Sequence, residues 1–116
     1  MIKGEQNEFF HKLEAAIENK DLDGMVELMH PECTMVLHST GKIIRRDEWK
    51  ETFGKMITSD KFKRDKNRCI YENDDIMVEH AMVTFPNGST DAVLVVMTLK
   101  DGKVFRTETC STPLNK

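Results

Sequence analysis

The chain has 116 residues, 39% of them hydrophobic and 32% charged, with a formal net charge of −3, a balance that fits one folded domain rather than a disordered or multidomain chain. A domain of this length buries roughly 65% of the surface its unfolded chain exposes, so a sizeable core forms without covalent staples. The acidic excess excludes nucleic acid as a main partner, because neutralising phosphates needs a dominant basic field. The one basic run, Lys61, Lys63, Arg64, Lys66 and Arg68, is interrupted by Asp60 and Asp65, and it reads as a solvated strand face.

The three cysteines, Cys33, Cys69 and Cys110, are odd in number and lack metal-ligand spacing, and the start MIKGEQNEFF has no apolar signal core. No stretch reaches the length needed to span a bilayer. The expectation is a cytoplasmic protein with no metal, no cofactor and no membrane partner.

From Glu5 to Asn19, Phe9, Phe10, Leu13, Ala16 and Ile17 form one apolar stripe of a helix. Asp21 is placed to cap a second helix, whose buried face is Leu22, Met25, Val26, Leu28 and Met29, and Pro31 ends it. Cys33 to His38 reads as a strand, Thr40-Gly41 as a turn and Lys42-Ile43-Ile44 as a short partner strand. Asp47 is an N-cap candidate for a third helix, in which Trp49, Phe53, Met56 and Ile57 repeat at helical spacing.

Beyond Ser59-Asp60 the pattern is β. Strands are expected over 62–72, 76–85, 91–100 and 104–112, separated by Asn73-Asp74, Pro86-Asn87-Gly88 and Asp101-Gly102. Asn-Gly and Asp-Gly favour tight hairpins because they tolerate positive φ. Three helices and a short hairpin followed by an antiparallel meander make an α+β plan, with no internal repeat and no linker.

This order of elements resembles the nuclear transport factor 2-like superfamily, and its SnoaL-like branch in particular. The resemblance rests on Asn19-Lys20-Asp21-Leu22-Asp23, Leu28-Met29-His30-Pro31-Glu32, Val36-Leu37-His38, Gly41 with Arg46-Asp47-Glu48, and Leu99-Lys100-Asp101-Gly102-Lys103-Val104. It implies a single cone-shaped domain, a curved antiparallel sheet (a cystatin-like roll) wrapped around three helices, with a cavity inside. The superfamily includes isomerases, cyclases, dehydratases, epoxide hydrolases and non-enzymatic assembly modules, so fold alone does not give function.

Strand parity and the resemblance suggest which side chains face the interior. On the last strand these are Phe105, Thr107, Thr109 and Ser111, and on the preceding one Val93, Val95, Met97 and Leu99. On the strand from Ile76 the expected inward face is Ile76, Val78, His80, Met82 and Thr84; His80 loses that position if the Glu79 face points inward instead. His80 and His38 are the expected proton-transfer groups, since imidazole titrates near neutrality. Trp49, Phe53, Met82, Met97, Phe105, Thr107 and Thr109 are the expected ligand contacts, with Met25, Met29, Met35 and Met56 as adaptable lining. The expected ligand is a small hydrophobic molecule. The opposite face of the strand from Asp91, with Ala92, Leu94 and Val96, is too apolar to be solvated, so a homodimer packed through the outer sheet face is expected.

The ketosteroid isomerase mechanism needs a carboxylate base near the end of the first strand, where Val36-Leu37-His38-Ser39 stands, and a tyrosine and a carboxylic acid donor, near which stand Phe10 or Leu13 and Val96 or Met97. All three groups are missing. Epoxide hydrolysis in the superfamily uses an Asp-Arg-Asp arrangement, and Arg106 with Glu108 is the nearest counterpart, on the face expected to point outward. Two functions therefore remain: a small-molecule-binding protein with an apolar pocket, acting if it is an enzyme by isomerisation, cyclisation or dehydration of a hydrophobic carbonyl compound, and a non-catalytic dimerisation or assembly module.

Overall fold

The computed structural model describes residues 7–38 and 40–114. Helices α1 (Glu8–Glu18) and α2 (Leu22–Glu27) lead into strands β1 (Met29–Leu37) and β2 (Lys42–Arg45). Helix α3 (Arg46–Ile57) follows, and then β3 (Lys63–Glu72), β4 (Ile76–Thr84), β5 (Thr90–Lys100) and β6 (Lys103–Pro113). Glu5 and Gln6, where the first helix is expected to begin, lie outside the described residues.

α1 buries Phe9, Phe10, Leu13 and Ala16, the expected stripe. Its N-terminal amides are satisfied from the sheet: the Glu72 carboxylate accepts from the backbone N–H groups of Phe9 and Phe10, both at 2.9 Å, placing a negative charge at the positive end of the helix. Lys20 then breaks the helix with φ 56. Asp21 caps α2 as expected, its side chain accepting from Gly24 N at 3.0 Å. Arg45 rather than Asp47 occupies the N-cap of α3, and Asp47 and Glu48 sit in its first turn, where their charge still complements the helix dipole.

The six strands form one mixed sheet in the order β2-β1-β6-β5-β4-β3. β3 to β6 are the expected antiparallel meander, and β1 joins β6 in parallel, pairing Met35 with Thr107 and Leu37 with Thr109. Pro31 does not end the second helix. It lies inside β1, in the stretch between Met29 and Thr34 where the register with β6 is broken, so no ladder bond requires its missing N–H. The β5–β6 turn carries Asp101 at φ 56 and Gly102 at φ 76, the pair of left-handed residues that a tight Asp-Gly hairpin requires.

The helices pack against the inner face of the sheet. One core cluster joins Phe9, Phe10 and Leu13 to Met77, Leu99 and Val104; a second joins Ala16 and Met25 to Ile44 and Trp49; a third joins Phe62 to Ala81 and Val83. Among the described residues no helix is long and apolar enough to cross a membrane.

Candidate functional site

Between the helices and the inner sheet face lies a cavity of about 420 Å³. Its helical wall includes Leu13, Met25, Trp49, Phe53 and Met56, and its sheet wall includes Met35, Val93, Val95 and Met97. Trp49, Phe53, Met97, Thr107 and Thr109, all expected as ligand contacts, line it together. Alternation on β6 puts Thr107, Thr109 and Ser111 on this wall, and Thr107 is only 4% exposed.

Four expected site residues, His80, Met82, Phe105 and His38, do not reach the cavity. The register of β4 with β5 pairs Glu79 with Val95 and Ala81 with Val93, and cross-strand partners share a face. Met77, Glu79, Ala81 and Val83 therefore point inward and are buried, while His80 and Met82 lie on the opposite face. Phe105 fails for a different reason. The β5–β6 register passes from Thr98–Arg106 to Leu99–Val104, so Phe105 is the extra residue of a bulge. Val104 takes the inward position, and Phe105 packs edge-on against His30 with Lys100 Nζ 4.9 Å from its ring centre.

His38 also stands on the outer face. Parallel pairing places it beside β6, where its Nε2 lies 3.1 Å from Glu108 Oε1 and its Nδ1 lies 3.2 Å from Cys110 Sγ. Hydrogen bonding from Arg106 first, and from His38 second, holds the Glu108 carboxyl below its ordinary range. The His38 side chain is 43% exposed. Among the described residues no group of three or more His, Cys, Asp or Glu side chains is arranged to hold a metal ion.

The charged group of the cavity is one that the sequence reading placed in solvent. Arg64 points inward, its side chain 9% exposed, and its Nη2 donates to Glu79 Oε1 at 2.8 Å. Its Nη1 forms an ion pair with Glu14 of α1, and Glu14 also accepts from Asn67 Nδ2 at 2.9 Å. Arg64 and Glu79 line the cavity, whereas Glu14 stands behind them. The carboxylate–guanidinium–carboxylate arrangement sought at Arg106 and Glu108 thus occurs inside the cone on other residues. Burial pushes the Glu79 carboxyl above its ordinary value and Glu14 pushes it further, while Arg64 opposes both. Glu79 Oε2 has no hydrogen-bond partner among the described residues, and it is one of the polar atoms this cavity leaves for a guest.

A guest in this cavity would meet mostly apolar walls, the hydroxyls of Thr107, Thr109 and Ser111, and two carboxyls, of which the buried one, Glu79, has a raised pKa. That set can orient a mostly apolar molecule and move a proton at it. The SnoaL-like domain model matches residues 10–107. The chain belongs to the SnoaL-like family. Solved structures similar to this SnoaL-like chain include a candidate ketosteroid isomerase from Kribbella flavida, 12% identical, with a TM-score of 0.77 over 97% of this chain and 83% of that one. An NTF-2 like protein of unknown function from Burkholderia xenovorans is 15% identical, with a TM-score of 0.73 over 95% and 84% of the two chains. IdmH, a candidate polyketide cyclase from Streptomyces antibioticus, is 17% identical, with a TM-score of 0.69 over 90% of each chain. At these identities the likeness is one of fold. No curated protein matches the SnoaL-like chain.

Proposed function

We propose that the chain binds a small, mostly apolar molecule in the cone cavity and that Glu79 exchanges a proton with it. The observation that carries this reading is the buried Glu79 carboxyl on a mostly apolar wall, with one oxygen held by Arg64 and the other without a partner among the described residues. Burial raises its pKa toward the working range of a general acid or base at neutral pH.

A hydrophobic carbonyl compound suits this wall. Glu79 and Thr109 share one cross-sheet row with Val95 between them, so their strands lie about 10 Å apart. A carbonyl held by the Thr107 or Thr109 hydroxyl would present its neighbouring C–H bond toward Glu79. The carboxylate takes that proton, the C–H electron pair moves into the carbonyl as an enolate, and the proton returns at another atom. Isomerisation, cyclisation and dehydration all contain this step. Titration with octanophenone, read by the fluorescence of Trp49, tests occupancy: a saturable change that Trp49 shares with chemical-shift changes at Thr107 supports the reading, and no change at any concentration refutes it. An aryl epoxide converted to its diol would instead assign the Arg64–Glu79 pair to holding a water.

A second reading is favoured by the outer sheet face, where Val78, Leu94 and Val96 stand together and Leu94 is 36% exposed. Against water this face is unfavourable, and a second copy packed sheet to sheet would cover it. Leu94→Lys is expected to convert a dimer to a monomer in sedimentation, and a wild-type protein that is monomeric at micromolar concentration rules the dimer out.

A further inference from the structure

Three cavity-lining residues carry charge: Arg64, Glu79 and Asp91. Arg64 is engaged on both sides, by Glu79 and by Glu14, so the one cation of the lining has no free charge to offer a guest. Asp91 opens the inward row of β5 beside the β4–β5 turn, opposite Val83 and Pro113. It makes no ion pair and no side-chain hydrogen bond with the described residues. Glu79 supplies the independent sign that this wall awaits a guest, because it lines the cavity with its side chain 5% exposed and one of its oxygens has no partner among the described residues.

The two carboxyls stand at different depths. Val95, the partner of Glu79, is four residues along β5 from Asp91, a rise of about 13 Å. Between them the β5 inward face is Val93 and Val95 alone. A guest spanning that distance meets a proton-exchanging carboxyl at one end, aliphatic walls along its length and, at the other, a carboxylate that no described residue pairs. An anionic end at Asp91 would be repelled, and a neutral end would leave that carboxylate without a counter-charge.

We infer that the guest is an apolar carbonyl compound that also carries a basic nitrogen, with its carbonyl end at Glu79 and its ammonium end at Asp91. This inference rests on the binding reading above and adds the charge of the ligand to it. Recognition needs no further group from the protein: the aliphatic wall positions the chain of the guest, and the Asp91 carboxylate pairs with its cation at the partly exposed end.

The test uses the full chain and three probes built on one acyl chain, octanophenone and its ω-amino and ω-carboxy derivatives, titrated against Trp49 fluorescence. The amino probe is expected to bind about fivefold more tightly than octanophenone, and the carboxy probe more weakly by a similar factor. Asp91→Asn, with its fold checked by an unchanged melting transition, is expected to bring the three affinities together, and raised salt to narrow them in the wild type. Equal affinities for all three probes in the wild type overturn the charge inference and leave the apolar pocket standing. A preference for the amine that survives Asp91→Asn overturns the assignment to Asp91. Failure of all three to bind refutes the pocket reading and this inference with it.

Discussion

Arg64 and Glu79 meet at 2.8 Å although neither is the other's partner in the strand register. Arg64 stands opposite Val83, and Glu79 opposite Cys69. They converge because Val83 points inward and Arg64, its partner, shares that face with Glu79. The irregularity of β3 lies after Arg64, between Asp65 and Arg68 with Lys66 at φ 56, and it brings Cys69 back to the same inner face.

Removing the Arg64 guanidinium leaves two carboxylates facing each other in a buried site. Arg64→Met is therefore expected to destabilise the protein by about 3–5 kcal/mol, read as a lower urea midpoint. The loss is expected to be smaller when Glu79→Gln is made in the same chain, since the second change removes one of the stranded charges.

The Glu79 carboxyl titrates in the folded protein above its ordinary value of 4.5, with burial as the leading cause. Folding thus favours the protonated form. The stability this contributes is fully present below about pH 4.5 and is lost as pH rises through the folded-state midpoint. Arg64 and Glu14 face the same group and are retained in the comparison. Unfolding free energies measured against pH should show wild type losing stability relative to Glu79→Gln above that pH, with a constant difference below it. A constant difference across the whole range would contradict the burial of an ionisable carboxyl at this position.

Lys20 holds the end of α3 by a different device. Its Nζ donates to the carbonyls of Ser59 at 2.8 Å and Phe62 at 3.2 Å, and reaches Ile57 O at 3.4 Å. These contacts place a cation at the negative end of the helix. Lys20→Met preserves the stem and removes the charge, and is expected to cost about 1–2 kcal/mol. Thermal unfolding monitored by circular dichroism measures it.

Much of the fold was legible because local chemistry and packing agree. The stripe of α1, the Asp21 cap, the Trp49–Phe53 face of α3 and the Asp-Gly hairpin each follow from periodicity or turn geometry, and the structure contains all four. The parity of β4 was not legible from its composition, since both faces are rich in apolar residues. Glu79 looks like the solvent-facing member because a lone carboxylate is seldom buried, and only the Arg64 guanidinium on the neighbouring strand reverses that. A signal was present in the β4–β5 turn. Phe85 N donates to Ser89 O, a pairing centred on Asn87 that carries through to Ala81 with Val93 and Glu79 with Val95. Once Val93 and Val95 are placed inward, that register requires Glu79 beside them and His80 outside. Phe105 was displaced by a bulge, which alternation alone does not anticipate, whereas Arg64 alternates with buried Phe62 and was hidden by the charge of the basic run around it.

The central claim is that Glu79 exchanges a proton with a carbonyl compound in the cavity. Deuterium incorporation next to the carbonyl of octanophenone, followed by NMR in D2O, measures that event directly. The account predicts that the wild-type protein accelerates exchange over matched buffer and that Glu79→Gln loses about 100-fold of this rate while still binding the ketone. Exchange no faster than buffer, or an unchanged rate in Glu79→Gln, would contradict it.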